Sequence, residues 1–376
     1  MNTALSEERE FEASAQAGVF TESSSKRERN ISFAPPPLPA APAASAASAA
    51  SAASVAGGDA PQSPDERLQL LRAGSIPSTR LSEVALPPRV RVVGDWFCEA
   101  DLAFVFARRG LGKTWFSLAL ACAIASKRQI GPWPVHENLP VPYIDGEMPC
   151  ETLRERIKGL GPSNALTLLN HEVLFHETGA VLNLTDPVSQ AAVTQLCLQN
   201  GFKVLVLDNL SCLFSGVKEN DADAWEAVLP WLLDLRRHRI AVLIVAHSGR
   251  DGKSMRGTSR REDAAFSVIR LDDPQETGEP RNGARFLLRF TKDRNSPMEQ
   301  AVREWVFQTE PNGVVEISTK QADGMDMVLQ WVGNGLTSCS EIAEEMGLSK
   351  GAVSKMATKL IELGRLKMNG RQYALP

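Results

Sequence analysis

Hydrophobic and polar positions follow a different rule in each of three stretches of the chain. Up to about residue 62 no hydrophobic period is kept. Residues 35–42 are rich in proline, and 43–56 are almost entirely alanine and serine. Such a stretch carries too little apolar surface to offset the entropy of ordering, so residues 1–64 are expected to form a disordered arm. From residue 65 apolar runs alternate with helix-like stretches. Strands are predicted over 103–107, 141–144, 204–207 and 241–245, and helices over 114–126, 187–199 and 224–237. Strand and helix in alternation argue for a parallel sheet flanked by helices. After residue 254 the pattern changes. Residues 286–290, 304–308 and 313–317 read as consecutive strands, with Pro311-Asn312-Gly313 as the clearest turn, which fits an antiparallel edge on a parallel core.

A third unit is expected over 323–376. A helix is predicted over 325–333. A second, over 338–346, is capped by Thr337 or Ser338, with Glu341 three residues after Ser338. Gly347 makes the turn into a third helix over 349–363, which Ser349 caps and Gly364 ends. A hairpin of 365–368 with 372–375 then closes around Asn369-Gly370, a strong turn signal. Helix-turn-helix followed by a hairpin describes a winged helix. The expected fold class is therefore α/β: a mainly parallel sheet with an antiparallel edge over 65–322, plus a C-terminal winged helix-turn-helix.

Composition narrows the partners more than the fold. A formal net charge of -4 means that the chain as a whole does not coat nucleic acid, so DNA contact must come from local basic loops or their repetition around an assembly. None of the six cysteines lies two residues from another or at metal-ligand spacing from a histidine, which argues against a zinc ribbon. Several sit in apolar runs, as reduced thiols of a cytoplasmic protein do. The polar, acidic start is neither signal peptide nor lipidation motif, and no apolar run is long enough to span a bilayer, so no membrane partner is expected.

The chemistry is concentrated at the ends of the predicted strands. The segment from Phe104 to Thr114 runs from a strand through Ala107, Arg108, Arg109, Gly110, Leu111 and Gly112 to Lys113, Thr114 and Trp115, where a helix begins. Backbone N–H groups at a helix start attract anions. Lys113 can reach outer phosphates, and the Thr114 hydroxyl can ligate Mg²⁺. Ala107 stands where the first glycine of such a loop is usual. A second strand ends in Asp208, where a magnesium-organising carboxylate belongs. Between them the strand at Tyr143 ends in Asp145 and Glu147, either of which can polarise an attacking water. The strand 241–245 leads to His247, suited to contact a γ-phosphate. A glycine-containing basic loop follows, carrying Arg250, Lys253, Arg256, Arg260 and Arg261, the kind of segment that grips a phosphate backbone; Lys218 would assist. Lys292 and Arg294 alternate with Asp293, so both cations face one way. In the last unit Lys350 and Lys355 place positive charge on the second helix of the helix-turn-helix, which favours a DNA major groove.

With these parts in place the chain resembles the RecA-like ATPases of the RepA-type and DnaB-type hexameric helicase group, and most of all the RepA-like AAA-family proteins of plasmids and mobile elements. The resemblance covers residues 87–319. It rests on Gly110-Leu-Gly-Lys-Thr114, Asp145-Gly-Glu147-Met-Pro149, Leu205-Val-Leu-Asp208-Asn209, His247 with Met255-Arg-Gly-Thr-Ser259 and Arg261-Glu-Asp-Ala264, and Lys292-Asp-Arg294. It implies ATP and Mg²⁺ as ligands, Glu147 as catalytic base, His247 as γ-phosphate sensor, and Lys292 and Arg294 reaching across a subunit interface. It also implies a homo-oligomeric ring, a hexamer, moving on single-stranded DNA. The arm and the winged helix depart from the minimal RepA plan. No helical primase-binding domain is expected before the core, so the role of chromosomal replicative helicase is not implied. An ATP-switched, DNA-binding regulator that oligomerises without unwinding is the alternative. A recombinase filament is the third class.

Overall fold

The structure, a computed structural model, describes residues 63–376 except 215–221, 250, 251, 253, 257–259, 275–281, 299 and 347, and at 222–224 and 260 the backbone alone. The expected N-terminal arm, Lys218, Arg250, Lys253, the Arg260 side chain and Gly347 lie outside the described residues. Residues up to Ala85 belong to one unit, and Leu86–Pro376 to another. In the first, helix Pro64–Gly74 (α1) starts with a capping box. The Ser63 hydroxyl accepts from the Glu66 N–H, and the Glu66 carboxylate accepts from the Ser63 N–H, both at 3.2 Å. This helix buries none of its residues.

In the second unit a short hairpin of Arg91–Val93 (β1) and Phe97–Cys98 (β2) precedes the main sheet. The chain then alternates: Leu102–Ala107 (β3), Lys113–Ser126 (α2), Val141–Asp145 (β4), Cys150–Leu160 (α3), Leu166–Asn170 (β5), His171–Thr178 (α4), Pro187–Gln199 (α5), Val204–Asp208 (β6), Leu210–Leu213 (α6), Ala222–Arg237 (α7) and Ala241–His247 (β7). Arg260–Asp263 (α8), Ser267–Asp272 (β8), Gly283–Asp293 (β9), Arg303–Thr309 (β10) and Val315–Gln321 (β11) complete it. The sheet order is β11-β10-β9-β8-β3-β7-β6-β4-β5. Pairing is parallel from β8 to β5 and antiparallel from β8 outward to β11. This is the parallel core with an antiparallel edge that the alternation predicts.

Every residue of β3, β6 and β7 is buried, as central strands covered on both faces require. Alternate positions of β3 feed opposite layers. Ala103, Val105 and Ala107 join Phe116, Leu120, Trp133 and Trp305 on one side. Leu102, Phe104 and Phe106 join Leu205, Ile244, Trp231 and Leu235 on the other. Several elements were not evident in the sequence, β8, β5, α3 and α4 among them. The β8 strand carries Arg270 and Asp272 inside an apolar run; both are buried as partners, Arg270 Nε lying 3.0 Å from Asp272 Oδ1. At the sheet edge β5 leaves Thr167 and Leu168 exposed between half-buried Leu166 and Leu169, and Asn170 both ends it and caps α4. The α3 helix buries Leu153, Ile157 and Leu160 along one face, while α4 follows β5 directly and buries none of its residues. The last predicted strand, 313–317, is displaced to Val315–Gln321 because Glu310–Val314 closes a turn, with Glu310 N–H donating to Val314 O at 2.8 Å.

Gly324–Gly333 (α9), Cys339–Met346 (α10), Lys350–Glu362 (α11) and an antiparallel pair, Lys367–Asn369 (β12) with Gln372–Ala374 (β13), share a separate core of Val328, Trp331, Ile342, Val353, Leu360 and Leu366. Ser338, rather than Thr337, caps α10: its hydroxyl accepts from the Glu341 N–H at 3.2 Å, and Glu341 returns the bond. This bundle is fastened to the sheet through buried charge. Arg289 donates to Asp272 at 2.9 Å and to Gln330 at 3.0 Å, and the guanidinium groups of Arg270 and Arg289 stand over the Trp331 ring. Cys98, Cys122 and Cys197 are buried free thiols. Among the described residues no helix is long and apolar enough to cross a membrane.

Candidate functional site

Strands β3, β4, β6 and β7 end at the same side of the sheet, so their C-terminal residues converge. Between β3 and α2 the chain makes a tight loop, with Gly110 at φ 78° and Gly112 at φ 98°. A methyl group at Gly112 would stand 2.6 Å from the Ala284 Cβ and 3.0 Å from the Phe286 ring, so both conformation and space require glycine there. Ala107 ends β3 with its methyl buried in the core. Only its carbonyl faces the loop, accepting from Ser248 N–H at 2.9 Å, so the departure from glycine costs the loop no room.

A cleft of about 430 Å³ opens over this loop. Arg109, Gly110, Gly112, Lys113, Thr114 and Trp115 form its floor, with Asp145, Glu147, Arg156, Asp208 and His247 around it. Arg108 and Leu111 depart from expectation. They line a separate recess with Gly252, Leu271 and Asn334, because the left-handed glycines on either side of Leu111 turn it away from the cleft, and Arg108 packs against Gly252. Lys113 is buried at 6% exposure, its ammonium donating to the carbonyls of Arg108 at 2.9 Å and Ala107 at 3.3 Å. Burial pulls its pKa down to about 8, against the pull of the Asp208 and Glu147 charges.

Asp208 is buried beside it. It accepts from the Tyr143 hydroxyl at 2.5 Å, from Ser117 at 3.4 Å and from Thr114. Burial raises its pKa to about 6 in spite of those donors. A carboxylate and a hydroxyl already in contact at a helix start suit Mg²⁺, which is commonly held by one or two carboxylates together with substrate phosphates. The residues present therefore fit a magnesium-bound nucleotide.

Geometry separates the two acids of the β4 turn. Asp145 is buried at 2% exposure and fully engaged, accepting from the N–H groups of Glu147 and Met148 and from Asn170 at 2.7 Å. It builds the turn. Glu147 is exposed on the wall of the cleft, where its carboxylate accepts from Asn209. His247 lies at the end of β7, in register with Ala107. Beyond it Ser248 bridges to Met255, and the Arg256 N–H donates to the His247 carbonyl at 2.9 Å, so the base of the basic loop is tied to that strand end. Arg256 is exposed. Arg261 is a correction to the expected DNA-contacting set: α8 turns it inward to 4% exposure, where it donates to the Arg256 carbonyl at 2.6 Å and faces the Trp225 ring.

Lys292 and Arg294 do share one side. Both donate to carbonyls at the end of α8, Lys292 to Glu262 and Asp263, and Arg294 to Asp263 at 3.4 Å. Neither lines the cleft of its own chain. Lys350 and Lys355 are exposed on α11. Sequence reasoning missed Tyr143, Ser117 and Arg156. The Arg156 guanidinium stands 4.5 Å from the centre of the Trp115 ring, on the wall of the cleft. Its one legible signal is its spacing from Thr152, one helical turn away on the same face of α3.

Fold and site together define a P-loop ATPase with an α/β core of mainly parallel strands. A family model described as an AAA domain matches residues 65–253, which is 189 of the 376, and the chain belongs to that family. Among solved structures it is similar to a KaiC-like protein of the hyperthermophilic archaeon Pyrococcus horikoshii, with 17% identity over 60% of this chain and 99% of that one and a TM-score of 0.42. It is also similar to the flagellar accessory protein FlaH of Methanocaldococcus jannaschii, with 13% identity over 58% of this chain and 90% of that one and a TM-score of 0.39. Comparison with curated proteins gave no match.

Proposed function

We propose that the chain is an ATP-driven motor on DNA, a ring-forming helicase of the RepA-like kind used by plasmids and mobile elements. The observation that carries this reading is that one cleft gathers Lys113, Thr114, Glu147, Asp208 and His247, while the basic loop leaves directly from His247. In this reading the loop amides and Lys113 hold the outer phosphates of ATP. Thr114 and Asp208 hold Mg²⁺, which when bound offsets the charge of the β- and γ-phosphates. Glu147 takes a proton from water as the water oxygen bonds to the γ-phosphorus and the bond from that phosphorus to the β,γ-bridging oxygen breaks, giving ADP and phosphate, and His247 senses whether the γ-phosphate is present. Lys292 and Arg294 serve a neighbouring subunit's cleft as trans-acting cations. Arg256, together with Arg250, Lys253 and Arg260, meets the single strand. The C-terminal bundle is a winged helix whose Lys350 and Lys355 contact duplex DNA.

The test is ATP turnover with and without single-stranded DNA, beside strand displacement on a forked duplex and mass determination in ATP and Mg²⁺. Stimulation by DNA, displacement, a closed oligomer and silence of Lys113→Ala are expected. Turnover indifferent to DNA, without displacement, favours the regulator instead.

A further inference from the structure

Asn209 is 1% exposed, directly after Asp208 and at the N-cap of α6. The two ends of its carboxamide have different partners. Its Oδ1 accepts from the Cys212 N–H at 3.2 Å and closes the first turn of α6. Its Nδ2 donates to Oε2 of Glu147. Chemistry fixes this orientation. The reversed amide would set oxygen against a carboxylate and nitrogen against an N–H, both repulsive. The backbone is joined at the same place. The Gly146 N–H donates to the Asp208 carbonyl at 2.8 Å, and a side chain at Gly146 would meet Leu213 at 2.9 Å, so the turn before Glu147 rests directly on α6. Glu147 itself is exposed, on a side chain with three rotatable bonds. Among the described residues Asn209 supplies the side-chain donor that holds it.

We propose that Asn209 is a positioning residue for ATP hydrolysis: it fixes one oxygen of Glu147 and so presents the other, Oε1, to the attacking water. The inference rests on Glu147 being the base. Orientation of a base is worth much of its effect, and a misplacement near 1 Å costs roughly 100-fold. Asn209 itself lines the cleft, but in this role it acts through Glu147 and not on the phosphates or Mg²⁺.

The test uses full-length Asn209→Ser and Asn209→Asp. Serine and aspartate are both good N-cap residues, so α6 is retained. Serine removes the amide donor, and aspartate sets a like charge against Glu147. Turnover is expected to fall about 10- to 100-fold in Asn209→Ser, with the Kd for a non-hydrolysable ATP analogue within about twofold of wild type. Asn209→Asp should fall further, with the acidic limb of its kcat profile moved to higher pH. Glu147→Gln, run beside them, should be silent, and adding Asn209→Ser to it should change nothing more, since residues acting as one unit are not additive. Wild-type turnover in either folded Asn209 variant overturns the inference. So does loss of analogue binding in step with turnover, or failure of both variants to fold, since each marks a merely structural role. If Glu147→Gln keeps its turnover, or the wild-type chain has none, the base assignment fails and Asn209's role falls with it. If only the Asn209 variants behave as wild type, the base assignment stands and Asn209 alone is dismissed.

Discussion

The two ionisable residues at the bottom of the cleft are held away from their ordinary protonation behaviour, in directions that make separate predictions. Asp208 is raised to about 6 by burial, so the folded chain holds that proton more tightly than the unfolded chain does. The carboxyl group therefore favours folding fully only below its unfolded pKa near 4. That contribution is lost as pH rises through about 6, and above this Asp208 is a fixed cost of up to about 3 kcal/mol. Asp208→Asn keeps an acceptor for Tyr143 and removes the charge. It should raise the melting temperature of the nucleotide-free protein at pH 7.5, show almost no gain below pH 4, and abolish Mg²⁺-dependent hydrolysis. A variant less stable than wild type at pH 7.5 would contradict this account. Lys113 is lowered to about 8. Phosphate oxygens beside the ammonium favour its charged form, so nucleotide binding near pH 8 should take up a fraction of a proton, and near pH 6 this residue should contribute none. Calorimetry in two buffers of different ionisation enthalpy reads the uptake directly, and Lys113→Ala should remove it.

At the scale of elements, what the sequence makes legible is what depends on near neighbours in the chain. The phosphate loop, the helix after it and the acid-ended β6 strand are contiguous motifs, and each lies where its pattern predicts. So do α5, bounded by Asp186 and Asn200, and the hairpin at Asn369-Gly370. The β8 strand was not legible, because Arg270 and Asp272 look like surface charges until Arg289 arrives from a distant segment to pair with Asp272 and the Trp331 ring comes to lie under Arg270. Arg156 and Asn209 were hidden for the same reason, since their roles exist only after β4, α3 and β6 are brought together. Arg261 is the reverse case, a cation in a basic run that the fold withdraws to Trp225. The loop itself gives an element-scale prediction. Gly112 combines φ 98° with contact against Ala284 and Phe286 on β9. Gly112→Ala must move either the loop or that strand, at a cost of about 1–3 kcal/mol. It should weaken nucleotide binding at least tenfold by calorimetry, whereas Gly110→Ala, with open space around it but the same left-handed strain, should be milder.

At the scale of the molecule, the bundle of α9, α10 and α11 is coupled to the sheet by a buried group of two arginines, one aspartate, a glutamine and a tryptophan. These charges are out of water, so this joint should resist salt that would release an exposed ion pair. The opposite end of these strands, where Lys292 pairs with Val268 at the start of β8, carries Lys292 and Arg294 to α8 and away from the chain's own cleft. A cation that stabilises transferring phosphate must reach some cleft, and in the proposed ring it is the neighbour's. The consequence is a complementation experiment. Arg294→Ala subunits keep an intact phosphate loop, and Lys113→Ala subunits keep an intact cation. Either variant alone should be nearly inactive. Mixed at equal amounts in a closed ring with random order, about a quarter of interfaces pair a good loop with a good cation. DNA-stimulated hydrolysis should therefore rise from near zero to a broad maximum near equal mixing, and fall toward zero at either end. If Arg294 acts within its own chain, every subunit in the mixture carries one defect, and no ratio restores turnover.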